Sequence, residues 1–147
     1  MKTMTIIKKG ISELDMVDAF FRSGHFKTSR LFVEIPVFSR CVDMVVLNNR
    51  NEVSAIEFKK EKWKEAIDQV LRVSTSFDFL EICILSPAHD ELKKEIIACC
   101  KELGIGVYFM NPTTMKVKKV LRSRKNPSIW KIQKKDVINY LEAERNG

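Results

Sequence analysis

The segment that most constrains the fold is residues 40–59, in which acids interrupt two apolar runs. Residues 42–47 and 53–58 are rich in β-branched and aromatic side chains, as strands are. The cluster Asn-Asn-Arg-Asn-Glu at residues 48–52 separates them and is typical of a turn. The pattern predicts a tight β-hairpin.

The register of this hairpin brings two carboxylates together. If the turn centres on Arg50, paired residues have numbers that sum to 100, and Asp43 faces Glu57. Cross-strand neighbours have Cβ atoms about 5 Å apart, and like charges there are destabilising unless something offsets them. A divalent cation would do so. Because side chains alternate along a strand, Lys59 projects from the same face as Glu57. We therefore expect a cation, two carboxylates and an ammonium in one small volume.

Length and composition predict a single globular domain, 1–147, with a basic extension of its core from about residue 111. The net charge of +7 favours an anionic partner, most commonly nucleic acid, although a merely basic protein remains the alternative. With no long apolar run or signal peptide, we expect a cytoplasmic protein with no membrane partner. The cysteines have neither zinc-site nor disulfide spacing: Cys41, Cys83, Cys99 and Cys100.

The remaining elements follow from changes of period along the chain. Residues 1–9 are interpreted as an edge strand or an arm. Beyond them we predict a helix from Ser12 to Gly24, strands at 31–37, 79–85 and 105–110, an outer strand at 115–121, and helices at 62–76, 90–103 and 136–144. A buried strand that follows a helix is typical of a parallel crossover. The fold class predicted is therefore α/β, a sandwich with a mixed central sheet.

Three polar residues outside the hairpin are candidates for the same site. On the first helix, Val17, Phe20 and Phe21 form the predicted inward stripe, and Glu13 lies on that side. Glu13 either complements the helix dipole or reaches the site as a further ligand. Glu34, on the 31–37 strand, is either solvated or leans toward Asp43. Gln69 borders the apolar stripe of the 62–76 helix, where an amide is either at the surface or near the end of the Glu57 strand.

The excess positive charge is concentrated between residues 116 and 135, which contain nine Lys or Arg and no acid. Near Trp130 such a cluster is suited to a phosphate backbone, with the ring available for stacking. The alternative is a solvated lysine face with Trp130 in the core. The candidate nucleic-acid contacts are Arg40, Arg72, Lys116, Lys118, Lys119, Arg122, Arg124 and Lys125.

With these elements placed, residues 11–110 resemble the PD-(D/E)xK nuclease superfamily, which has the restriction-endonuclease-like fold. In size the chain is similar to the small stand-alone or resolvase-like members of that superfamily. The motif is Asp43 followed by Glu57-Phe58-Lys59, and Val42 stands where the motif has its proline. The resemblance implies a three-layer sandwich in which Asp43 and Glu57 hold Mg²⁺, with the Phe58 carbonyl as a further ligand. It also implies that Lys59 holds or activates the attacking water.

The same resemblance gives roles to the outlying candidates. Gln69 matches the helix glutamine of several branches, and either Glu13 or Glu34 matches the additional acid that some branches carry. Many enzymes of this kind act as dimers that cut both strands, so a homodimer and a monomer both remain open.

The chemistry is consistent with this resemblance on physical grounds. Carboxylate oxygens without His or Cys favour Mg²⁺ or Mn²⁺, and phosphodiester hydrolysis needs charge neutralised at the scissile group. We therefore expect a Mg²⁺-dependent DNA endonuclease with no organic cofactor. The alternatives are a nuclease-fold protein that binds DNA or a partner without cutting, and an exposed charge cluster on an unrelated α/β domain.

Overall fold

The structure, a computed structural model, describes residues 10–146, so the prediction for residues 1–9 lies outside the described part. Within it four helices and six strands follow one another, with a short 3₁₀ turn at Ser74–Ser76. In chain order they are α1 (Glu13–Arg22), β1 (Arg30–Val37), β2 (Arg40–Leu47), β3 (Val53–Lys59), α2 (Trp63–Arg72), β4 (Phe79–Leu85), α3 (Asp90–Leu103), β5 (Gly106–Met110), β6 (Val117–Leu121) and α4 (Lys131–Asn146).

The strands form one mixed sheet in the order β1-β2-β3-β4-β5-β6. The pairs β3–β4 and β4–β5 are parallel, and the other three are antiparallel. Helices α2, α3 and α4 bury apolar side chains on one face, and α1 covers the other with Met16 and Phe20. The predicted three-layer sandwich with a mixed central sheet is confirmed.

The hairpin has the predicted register, with Val45 opposite Ala55 and Leu47 opposite Val53. Its turn is closed by Asn48, whose side-chain Oδ1 accepts from the amides of Arg50 and Glu52. The backbone ladder ends at Met44 and Ile56, one residue before the two acids.

The first helix begins as expected but presents a different face to the core. Ser12 and Asp15 form a reciprocal capping box at its start. Met16 and Phe20 are fully buried, whereas Phe21, predicted in the inward stripe, is 48% exposed. Phe20 packs edge-on to Phe58 and Tyr108, which orients the helix toward the middle of the sheet.

The last helix begins five residues earlier than predicted, at Lys131 rather than 136. Its first turn has no buried apolar side chain and is held by polar contacts instead. Lys134 lies 2.9 Å from the buried carboxylate of Asp78, and Gln133 hydrogen-bonds to Thr75. Trp130 is 61% exposed, so the alternative that places it in the core is wrong.

Candidate active site

A pocket of about 300 Å³ opens at the carboxyl end of β3, between β2 and α2. Its lining includes six of the residues predicted from the sequence: Glu13, Arg40, Asp43, Glu57, Lys59 and Gln69. Three separate segments therefore supply the pocket. The hairpin contributes Asp43, Glu57 and Lys59 to the lining. Glu13 comes from the first turn of α1, and Gln69 comes from α2.

Beyond Met44 and Ile56, hydrogen bonds to the side chains of the two acids take the place of the next backbone hydrogen bonds between β2 and β3. The backbone amide of Asp43 donates to Oε2 of Glu57 over 3.1 Å, and the amide of Phe58 donates to Oδ2 of Asp43 over 2.8 Å. Each carboxylate thus occupies the space between the strands where a backbone carbonyl would otherwise accept. These bonds fix both side chains and leave one oxygen of each carboxylate outside them.

Burial and mutual repulsion make this pair hard to ionise. Burial and the neighbouring charge of Asp43 raise the pKa of Glu57 to about 8, and its side chain is nearly inaccessible. Burial also raises the pKa of Asp43, with the charge of Glu13 acting in the same direction and the Phe58 amide opposing it. At neutral pH the pair therefore retains a proton.

Lys59 lies beside the acids without neutralising them. Its ammonium nitrogen is 3.8 Å from Oε1 of Glu13, at the limit of an ion pair. Its charge lowers the pKa values of Asp43 and Glu57, but in each case by less than the backbone amide that binds the carboxylate. The Lys59 side chain is about one-fifth exposed and lines the pocket.

The donor set fits a hard divalent cation. Asp43 and Glu57 offer carboxylate oxygens, and a bound cation would displace the proton that the pair retains. Phe58, the third predicted ligand, is not among the residues that line the pocket, and its amide is bound to Asp43. Across residues 10–146, no three His, Cys, Asp or Glu side chains come close enough to share a metal ion. Glu13 is in the pocket but pairs with Lys59. Mg²⁺ commonly binds through one or two carboxylates and keeps several waters.

Glu34 is not brought to the site. It is exposed in β1 and has a left-handed φ of 53°, and the β1–β2 ladder skips it between Val33 and Ile35. The interrupted strand turns its side chain to solvent, outside the pocket. Of the two candidates for an additional acid, Glu13 alone lines the pocket.

Three of the basic residues predicted to contact nucleic acid have partners within the described part of the chain. Lys119 lies 3.5 Å from the buried Glu81, Lys125 lies 3.3 Å from Glu52, and Arg124 donates to two carbonyls at the end of α3. Arg124 and Lys125 nevertheless remain exposed, and Lys119 is half-buried. The predicted contacts Arg40, Arg72, Lys116, Lys118 and Arg122 are exposed.

Two buried acids, Asp78 and Glu81, were missed as partners of that basic segment. Glu81 accepts from Ser123 and from the hydroxyl of Tyr108 besides facing Lys119. Its signal is visible in the sequence, since it is the single acid inside the apolar run of residues 79–85. A buried acid implies a cation from elsewhere in the chain.

Comparison with known proteins shows the fold alone. No protein-family model matches the sequence, and neither does any curated protein. The structure is similar to the SPO1766 protein of unknown function from Silicibacter pomeroyi, with a TM-score of 0.66, 14% identity and coverage of 93% of this chain and 90% of that one. It is also similar to a repair endonuclease from Pyrococcus abyssi, with a TM-score of 0.54 and 18% identity.

The match to the repair endonuclease covers 69% of this chain and 48% of the endonuclease, so the chain spans about half of that protein. A weaker likeness, with a TM-score of 0.41 and 10% identity, is to SfsA from Pyrococcus furiosus. The likeness to the repair endonuclease is one of fold alone, so the chemistry has to be argued from the pocket.

Proposed function

We propose that this protein is a Mg²⁺-dependent DNA endonuclease of the PD-(D/E)xK type. The observation that carries the proposal is the pair of interlocked carboxylates of Asp43 and Glu57 beside the Lys59 ammonium, in one pocket. This arrangement is destabilising in the absence of a cation, and a structural role would be served equally well by uncharged side chains. The likeness to a repair endonuclease supports the proposal at the level of the fold.

Each residue has a role that follows from its position. Asp43 and Glu57 would hold the metal ion, oriented by the two backbone amides that bind their other oxygens. When bound, Mg²⁺ supplies a Lewis acid for the phosphoryl group and an activated water. Lys59 provides a positive charge close to the scissile phosphate, where developing charge is stabilised most effectively. Arg40, at the exposed mouth, binds a neighbouring phosphate.

The decisive experiment measures cleavage of duplex, branched and single-stranded DNA with Mg²⁺ or with EDTA. We expect Mg²⁺-dependent cleavage that falls at least about 100-fold in Asp43→Asn and in Lys59→Met. The matched controls Asp68→Asn and Lys94→Met remove the same charges from exposed helix positions and should retain full activity. Equal activity of the site variants and their controls would refute the proposal.

The second candidate function is a nuclease-fold protein that binds DNA without cutting it. It is favoured by the convergence of two carboxylates, not three, within the described part of the chain. Salt-sensitive DNA binding without Mg²⁺-dependent cleavage of any of the three substrates would support this candidate.

A further inference from the structure

A second pocket, of about 330 Å³, lies at the carboxyl ends of β3 and β4 and is lined by Lys60, the residue that follows Lys59 of the first pocket. Its wall is mainly apolar, with Trp63, Ile84, Pro87, Leu92 and Pro112 among the lining residues. The volume is at the lower end of the range of about 300–1,000 Å³ for sites that hold small organic groups. The pocket is not used by the proposed chemistry, and it is the apolar neighbour of a strongly polar site.

The charges around this apolar pocket are mostly positive. Lys60, the residue after the Glu-x-Lys motif, lines it, and the ammonium of Lys64 lies 5.4 Å from the centre of the Trp63 ring. Glu61 is the acid that lines it. A flat apolar group attached to an anion would match this arrangement, with its ring inside the pocket and its charge near the lysines.

A third pocket, of about 520 Å³, continues along the same edge and is lined by Lys93, Lys116 and Lys118. Hydrogen bonds fix the order of the three pockets. The amide of Leu85 donates to the Lys60 carbonyl, which joins the ends of β3 and β4, and the amide of Ser86 donates to Met110 at the end of β5. Ser86 lines both the second and third pockets. The edge therefore presents the acid-bearing candidate metal site, an apolar pocket and a pocket lined by three lysines in succession.

We propose that the apolar pocket holds an unpaired nucleobase of a strand whose phosphates lie in the two flanking pockets. The inference rests on the proposed function and specifies its substrate as DNA with a single-stranded segment at the site. A polynucleotide alternates charged phosphates with flat apolar bases. A phosphate at the candidate metal site and another at the three lysines would place a base at the apolar pocket between them. A base inside a duplex is stacked on both faces and has to leave the stack to enter a pocket. An unpaired base enters without that cost.

The test separates base contacts from phosphate contacts in EDTA, where no cleavage occurs. Fluorescence anisotropy compares a labelled oligothymidylate with an abasic oligonucleotide of equal length, because both carry the same phosphate charge. We expect the wild-type protein to bind the oligothymidylate about tenfold more tightly, as one stacked base would give. Leu92→Glu, which places an acid at the pocket, should reduce this ratio to about one.

Leu71→Glu is the matched control, because Leu71 and Leu92 are both 37% exposed on helices and Leu71 lines none of these pockets. It should weaken both oligonucleotides equally and leave the ratio unchanged. Circular dichroism checks the folding of each variant, and Ala88→Glu, at an exposed position of the same pocket, replaces Leu92→Glu if the latter does not fold.

Two results would overturn the inference: a wild-type ratio near one, or the same ratio in the pocket variant and its control. These results are independent of the cleavage assay. A protein that binds through the pocket but never cleaves refutes the endonuclease proposal alone, whereas cleavage with a ratio of one refutes the base pocket alone.

Discussion

Replacement of Glu57 by glutamine should stabilise the metal-free protein at high pH and leave it unchanged at low pH. Burial and Asp43 raise the pKa of Glu57 to about 8 from an ordinary value of 4.5. Between these two values the folded protein binds more protons than the unfolded chain, so the free energy of unfolding falls as the pH rises. Stability from this group is fully present below about pH 4.5 and lost by about pH 8.

The magnitude follows from the same interval. Each pH unit within it changes the free energy of unfolding by up to about 1.4 kcal/mol, so the total loss is about 3–5 kcal/mol. Glutamine imitates the protonated acid, because its oxygen still accepts from the Asp43 amide and its NH₂ group donates to the Asp43 carboxylate. Glu57→Gln should therefore remain stable at pH 9, where its melting temperature should exceed that of the wild type by about 6–20 °C.

Thermal melts in EDTA at pH 5, 7 and 9, followed by circular dichroism, measure this difference. Glu95→Gln, which removes the same charge from an exposed position on α3, is the control and should follow the wild-type profile. A wild-type curve that stays parallel to that of Glu57→Gln from pH 5 to pH 9 would show that the acids do not share a proton.

Three further predictions concern the metal, the last helix and β1. Mn²⁺ binding at pH 7 should release about one proton, and the affinity for Mn²⁺ should rise up to tenfold per pH unit between about pH 6 and 8. Calorimetry in buffers of different ionisation enthalpy measures the proton release, and Asp43→Asn should show no Mn²⁺ site. Lys134→Ala should destabilise the protein by about 3–5 kcal/mol in urea melts because it leaves buried Asp78 without its cation, whereas exposed Lys131→Ala should cost at most about 0.5 kcal/mol. Glu34→Gly should raise the free energy of unfolding by about 0.5–1 kcal/mol, because glycine adopts the left-handed backbone conformation of this position without strain. DNA cleavage should be unchanged, and a loss of cleavage would show that Glu34 contributes to the active site.

The hairpin could be predicted to the residue because its determinants are local. The turn at residues 48–52 fixes which residues pair, and the apolar alternation fixes which side chains face the core, so Val45 opposite Ala55 followed directly. The interlocking of Asp43 and Glu57 with backbone amides could not be predicted. It depends on the backbone ladder ending at Met44 and Ile56, at a point where residues of α1 and α2 also line the pocket.

The basic segment was less predictable because its partners are distant in the sequence. Lys119 meets Glu81 and Lys125 meets Glu52, contacts that only the completed sheet creates. A run of basic residues gives the net charge of the segment but does not show which of those residues pair with acids elsewhere in the chain. The same reason explains the early start of α4, whose first turn depends on Asp78 rather than on an apolar stripe of its own.

The unfavourable placement of Asp43 and Glu57 is itself the argument for a site that binds cations. All of the hydrogen bonds that these carboxylates accept from the backbone would be retained by amides, so the fold gains nothing from their acidity. The nearby ammonium of Lys59 pairs with Glu13 at 3.8 Å instead of closing on the two acids. Because this pair of acids lowers stability at neutral pH and no cation of residues 10–146 forms an ion pair with it, we propose that a positively charged ligand from outside the chain binds there. The oxygen donors beside it make a hard divalent cation the ligand of choice.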